Sequence, residues 1–253
     1  MRQRRAARTA VLLAVSLLLV TTVLAPRPGL AGRPLDTEDT GTIDPGAFEV
    51  ELSGDLARTA TEDAWGTKLV VAGGIVTGLE ARVESTVIVL DPQQGSSQSG
   101  LGDSLLGLKY RLLDEAGAVP AGLAALNLRL PTGDADRGLG AEGVDVGVLA
   151  VAGKTLGPVA VNGNVGYTFA TADRRLDAWT LAASIEYRGG PAWTLVAETV
   201  HAILPRGPDT AVLRAGGTWT VHKAIRLDTA VGAGLTRGSP DVTVTVGVTF
   251  ASY

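Results

Sequence analysis

Cysteine is absent from all 253 residues, which rules out disulfides and thiol chemistry. An oxidising envelope compartment suits such a chain, although the composition does not require one. Histidine is scarce, with only His201 and His222. Beyond residue 31 no run approaches about eighteen apolar residues, so the remainder holds no membrane helix. No glycine loop opens a helix, which removes support for phosphate cradling. The basic residues are scattered, so no nucleic-acid partner is expected. Aromatics make up only 4% of the chain while glycines number 33. Glycine suits tight turns and crowded walls. The scarcity of aromatics is the one compositional feature that speaks against a membrane wall, because such walls carry aromatic girdles.

The chain opens as an export leader would. Arg2, Arg4, Arg5 and Arg8 form a basic start, and Ala10 to Leu24 form an apolar segment too short for a comfortable membrane helix. Gly29-Leu30-Ala31 offers small residues to a signal peptidase, so a signal peptide over residues 1–31 is expected. Pro26 disfavours cleavage after Ala25. An uncleaved inner-membrane anchor is the alternative. Residues 32–45 are polar and turn-rich and read as an extended periplasmic lead-in, with the strand domain over 46–253.

From Gly46 onward a period of two dominates. In Val242-Thr-Val244-Thr-Val246-Gly-Val248-Thr-Phe250 the valines and Phe250 share one face and the threonines the other. Leu79, Ala81, Val83, Val87 and Val89 likewise oppose Glu80, Arg82, Glu84 and Thr86, and Trp179, Leu181, Ala183, Ile185 and Tyr187 oppose Thr180, Ser184 and Glu186. About twelve such segments are expected, an even number as in bacterial outer-membrane barrels. The connections alternate in length. The long set comprises Arg58–Gly66, Asp91–Gly100, Pro131–Gly143 and Thr171–Asp177, with shorter polar loops at Pro205–Asp209 and Arg237–Asp241. The tight set comprises Thr77-Gly78, Asp114–Pro120, Lys154–Pro158, Arg188–Pro191 and His222–Ala224. Short periplasmic turns and long outer loops account for this segregation. A soluble β-sandwich has no reason for it, nor for setting apolar side chains against charge on nearly every strand. The expected fold is an all-β, transmembrane, antiparallel up-and-down barrel.

The opposite face supplies the candidate pore lining: Glu80, Arg82, Glu84, Lys109, Arg111, Asn127, Arg129, Asp145, Asn162, Asn164, Glu186, Arg214, Arg226 and Asp228, with Glu49, Glu51 and Glu198 in the same phase. Two readings fit. The charges line a water-filled pore, or they pair across strands and fill a narrow lumen. Arg111, Arg129 and Arg214 are expected inward at mid-wall depth. The mixture of signs speaks against a one-sign selectivity ring. Asp134, Asp136, Glu142 and Asp145 lack the spacing of an EF-hand and read as a solvated loop rather than a calcium site. A lipolytic enzyme needs a nucleophile such as Ser184 oriented by His201 or His222, and nothing in the sequence sets such a pair together. No catalytic, metal or cofactor site is expected. Phe250 and Tyr253 are the candidates for the terminal aromatic read by the barrel-assembly machinery.

Four motifs carry a family resemblance. Arg33-Pro34-Leu35-Asp-Thr-Glu-Asp-Thr40-Gly41-Thr42 is the first, and Gly100-Leu-Gly102-Asp103 running on to Gly107-Leu-Lys109-Tyr110-Arg111 the second. Leu130-Pro131-Thr132-Gly133-Asp134 and Asn162 to Tyr167 complete the set. In this order they resemble the outer-membrane channel family first associated with meta-pathway phenol degradation, across nearly all of residues 32–253. The resemblance implies an outer-membrane barrel that passes small, including aromatic, solutes by passive diffusion, and it carries no catalytic residue. Its expected partners are outer-membrane lipid, the assembly machinery and a small-molecule solute. A non-conducting barrel with a structural, adhesive or lipolytic role is the alternative.

Overall fold

The alternating segments become strands because each can bury one face only while pairing every backbone group with a neighbour. A computed structural model describes residues 33–252. The expected signal peptide and Tyr253 lie outside the described residues. The strands are β1 (Phe48–Arg58), β2 (Glu62–Val76), β3 (Leu79–Pro92), β4 (Gln98–Leu101), β5 (Ser104–Leu113), β6 (Ala121–Leu130), β7 (Asp145–Leu156), β8 (Val159–Ala170), β9 (Ala178–Arg188), β10 (Trp193–Ile203), β11 (Thr210–His222), β12 (Ile225–Gly234) and β13 (Val242–Ser252). All pairings between them are antiparallel, mostly between sequence neighbours, and β1 pairs with both β2 and β13 to close the sheet. The short β4 pairs only with β3 and continues the line of β5 after a break at Gly102-Asp103. The result is a closed barrel of twelve full strands.

The outer face is apolar and open to its surroundings. On β13, Val246 is 53% exposed while Thr245 and Thr249 on the other face are 6% and 2% exposed. The aromatic residues are few but strictly placed. Among the described residues all of them lie on the outer face, within a few residues of a strand end. Trp65, Tyr167, Phe169 and Trp179 mark the long-loop end. Phe48, Tyr110, Tyr187, Trp193, Trp219 and Phe250 mark the other. Tyr167 packs edge-on against both Phe169 and Trp179, and Arg174 lies 5.3 Å over the Phe169 ring. Small numbers therefore build two girdles, and the objection raised by composition falls away.

Loop lengths segregate to the two ends with one exception. No long loop forms over Arg58–Gly66. The β1–β2 ladder runs on to Arg58↔Asp63, where two 2.8 Å bonds from the guanidinium hold the Asp63 carboxylate. The expected loop at Asp91–Gly100 contains β4.

The expectation of an extended lead-in outside the wall over residues 32–45 is corrected. Pro45 bridges to Gly74 beside the Thr77-Gly78 turn, at the short-turn end. From there residues 33–44 fold back into the barrel. Their charged and hydrogen-bonding groups find partners on the inner face that water outside would supply less specifically.

Candidate functional site: a lumen threaded by the N-terminal segment

All the candidate lining residues fall on the inner face, alternating with the apolar outer positions. Glu80, Arg82 and Glu84 come from β3, Lys109 and Arg111 from β5, Asn127 and Arg129 from β6, and Asp145 from β7. Asn162 and Asn164 come from β8, Glu186 from β9, Arg214 from β11, and Arg226 and Asp228 from β12. Their depth differs from expectation in two cases. Arg129 is next to the end of β6 and pairs with Asp145 at the long-loop mouth. Arg111 sits near the short-turn end and pairs with Asp114 at 3.5 Å. Neither is at mid-wall.

The segment over residues 33–44 joins much of this lining. The Arg33 guanidinium donates to Asp228 Oδ1 at 3.0 Å and to Thr245 Oγ1 at 2.7 Å. Gly247 makes room for it, since a Cβ there would lie 2.7 Å from Arg33 Nε. Glu198, buried at 3% exposure, receives the Asp36 and Thr37 amides, the Thr37 hydroxyl at 2.6 Å and Arg214 at 2.7 Å. Arg214 also reaches Asp36 at 2.9 Å. Glu38 lies between Arg82 on one side and Lys109 Nζ at 3.0 Å on the other. Its backbone is held from β8, where Asn164 accepts its amide and donates to its carbonyl, both at 2.8 Å. Arg111 donates to Thr40 O at 3.1 Å and Thr42 Oγ1 at 3.2 Å. The Ile43 amide donates to Glu80 at 3.0 Å.

The segment thus bridges strands on opposite sides of the barrel. The attachments are side-chain ion pairs and charge-assisted hydrogen bonds. Before Pro45 no backbone ladder joins it to the wall among the described residues. A cavity of about 490 Å³ remains beside it, bounded by β1, β2, β3, β5, β11 and β13 and by the segment itself. The lumen is therefore partly occupied by the segment and partly open. Lys68–Glu84 at 3.4 Å, Arg214–Glu198 at 2.7 Å, Lys109–Glu80 at 4.0 Å and Arg129–Asp145 are pairs within the wall, while Arg33–Asp228, Arg82–Glu38, Lys109–Glu38 and Arg214–Asp36 need the segment.

Sequence reasoning missed the segment's place. The available signal was its mixed charge: Asp36 and Glu38 find the inner bases Arg214, Arg82 and Lys109, and Arg33 finds the inner acid Asp228. Two of the four motifs meet here, because Asn164 of the fourth holds Glu38 of the first. The other two meet at the long-loop mouth. Asp103 accepts the Gly133 amide at 3.1 Å and the Ala141 amide at 2.8 Å, and Thr132 Oγ1 donates to Gly102 O at 3.1 Å. Gly133 is required there, since a Cβ would sit 2.4 Å from Leu139 O. Further round the mouth, side-chain and backbone bonds from Arg175 hold the Asp173 carboxyl down to about 2. Among the described residues no group of His, Asp and Glu side chains is placed to hold a metal. Ser184 faces the lumen opposite Glu198, and His201 lies in phase with the outward Leu181, so the two are on opposite faces of the wall.

Comparison with known proteins agrees with this architecture. A family model described as the MetA-pathway of phenol degradation matches residues 31–251. Among solved structures, an outer-membrane channel from Pseudomonas putida F1 superposes with a TM-score of 0.66 at 15% identity, over 86% of this chain and 100% of that one. The NanC porin gives 0.60 at 11% identity, over 79% and 98%. The KdgM porin in complex with disordered oligogalacturonate gives 0.57 at 12% identity, over 81% and 99%. A search of curated protein sequences found no match. The fold is that of outer-membrane barrels, and the wall spans the outer membrane.

Proposed function

The chain belongs to the family described by the MetA-pathway of phenol degradation, and on that premise we propose that it is an outer-membrane channel through which small solutes pass by passive diffusion. The observation that carries this reading is the cavity of about 490 Å³ left between the segment and the wall. It is polar and bounded by charged side chains. Small aromatic and other organic compounds suit both its size and the family's description. The inner residues from Glu80 to Asp228 named above line the path. The segment narrows it.

The chain reaches the membrane by export on the leader expected over residues 1–31. Phe250 stands outward at the periplasmic end of β13, where the assembly machinery would read a terminal aromatic. A second reading, a non-conducting barrel, draws support from the density of ion pairs between segment and wall. The test is single-channel recording of the refolded full chain in a planar bilayer, with swelling of liposomes in small organic solutes. Discrete conductance and uptake are expected. A barrel that inserts yet shows neither is non-conducting.

A further inference from the structure

The charges around the cavity are not evenly compensated. Each base that lines it has a carboxylate within 4.0 Å: Arg33 with Asp228, Lys68 with Glu84, Arg82 and Lys109 with Glu38, Arg111 with Asp114, and Arg214 with Glu198. Four lining acids have no such cation among the described residues: Asp44, Glu49, Glu51 and Asp55. Asp55 receives only the Ser53 hydroxyl, at 2.9 Å. Glu49 is 7% exposed, its carboxylate takes part in no hydrogen bond among the described residues, and it lines the cavity. Arg226 on β12 lies outside the lining, makes no ion pair within 4.0 Å among the described residues and donates to Thr249 Oγ1 at 3.2 Å. The open part of the lumen therefore presents a row of carboxylates without a paired cation on one wall strand.

That surplus has a regular spacing. Glu49 and Glu51 are two residues apart on the inner face of β1, about 7 Å along the strand, and Asp55 is about 20 Å from Glu49. The row runs from near the periplasmic end toward the outside. A buried carboxylate without a partner is costly, and a cation entering the cavity relieves that cost.

We infer that the cavity is a subsite for cationic amines, held by Glu49 and Glu51 with Asp55 further along the same strand. The inference rests on the channel reading for its route and names the solute class that the lining favours. A linear polyamine, with protonated nitrogens a few bonds apart, matches a row of carboxylates better than a single compact ion does.

Two measurements on the full chain separate this inference from the channel reading. The first is the reversal potential under a potassium chloride gradient, with spermidine then added to either side. The wild-type chain should prefer potassium over chloride and be blocked by spermidine. Glu49→Gln with Glu51→Gln should still insert as a heat-modifiable barrel while losing the preference and the block several-fold. The second is calorimetric titration of spermidine into the detergent-solubilised barrel, which needs no conduction. Wild type should bind and the double variant should not. A conducting channel with chloride preference, or one whose selectivity and spermidine affinity survive the double substitution, overturns the amine subsite and leaves the channel standing. A silent barrel that still binds spermidine through Glu49 and Glu51 supports the subsite and overturns the channel.

Discussion

The wall and the segment inside it are held by different forces. The wall is a closed ladder of backbone hydrogen bonds with an apolar outer face, and each strand supports both neighbours. The segment over residues 33–44 has no such ladder. It is latched by Arg33, Glu38 and the donors that converge on Glu198. Lipid and backbone pairing fix the first. Buried charge pairs fix the second, and they fail when one partner is removed. The wall should therefore survive changes that release the segment.

The largest effect expected is on the wall itself. Val244→Arg and Val246→Arg place charge on the lipid face, at about 2–4 kcal/mol each near the bilayer midplane. Together they should abolish the folded, heat-modifiable band on gels. Val70→Lys should keep it, because Val70 faces the cavity between Glu51 and Glu84. Equal outcomes on both faces would refute the assignment of faces.

Next in size is the latch. Glu198→Ala leaves Arg214 and the Asp36 and Thr37 amides short of an acceptor, a loss of about 3–5 kcal/mol if the pair is fully buried. Amide exchange at Thr37 and Glu38 should accelerate while exchange in β10 stays slow. Acceleration in both would mean that the segment and the wall are one cooperative unit. A smaller effect is expected at the outer loops. Asp103→Ala removes the acceptor of the Gly133 and Ala141 amides, about 1.5–3 kcal/mol of local order. A protease site inserted at Asp136 should then be cut faster from outside intact cells. Sites at Ser96 and Asp136 should be cut in the parent chain and one at Ala116 should not. Cutting only at Ala116 would invert the topology.

The smallest effect concerns pH. Asp173 is depressed to about 2 in the folded chain by Arg175, so its contribution is present above the ordinary carboxylate value, about 4, and is lost as pH falls toward 2. Exchange of the Arg175 amide, extrapolated to a common pH, should show protection fading only across that window. Fading near neutrality would mean that the Arg175–Asp173 contact is not its source.

Fold and topology were legible because period two and loop length repeat on every strand. Val242 to Phe250 alone states the facing of β13, and Thr77-Gly78 states a tight turn between β2 and β3. The inner residues were legible by phase for the same reason, from Glu80 to Asp228. The depth of Arg129 was not, because strand stagger in a closed barrel sets height and no local pattern encodes it. Nor was the place of Asp36 to Asp39. A short polar segment carries no periodicity, and its position is decided by partners such as Glu198 and Lys109, more than seventy residues away. The partial filling of the lumen followed from that missing piece, so wall residues alone left open pore and filled core equally possible.

The central claim is that the segment, and not the wall, limits passage. Single-channel conductance of a variant lacking residues 34–43, compared with the full chain, tests it most directly once heat-modifiable migration has shown the wall intact. The account predicts a markedly larger conductance and weaker discrimination among solutes. An intact barrel whose conductance matches that of the full chain would contradict it.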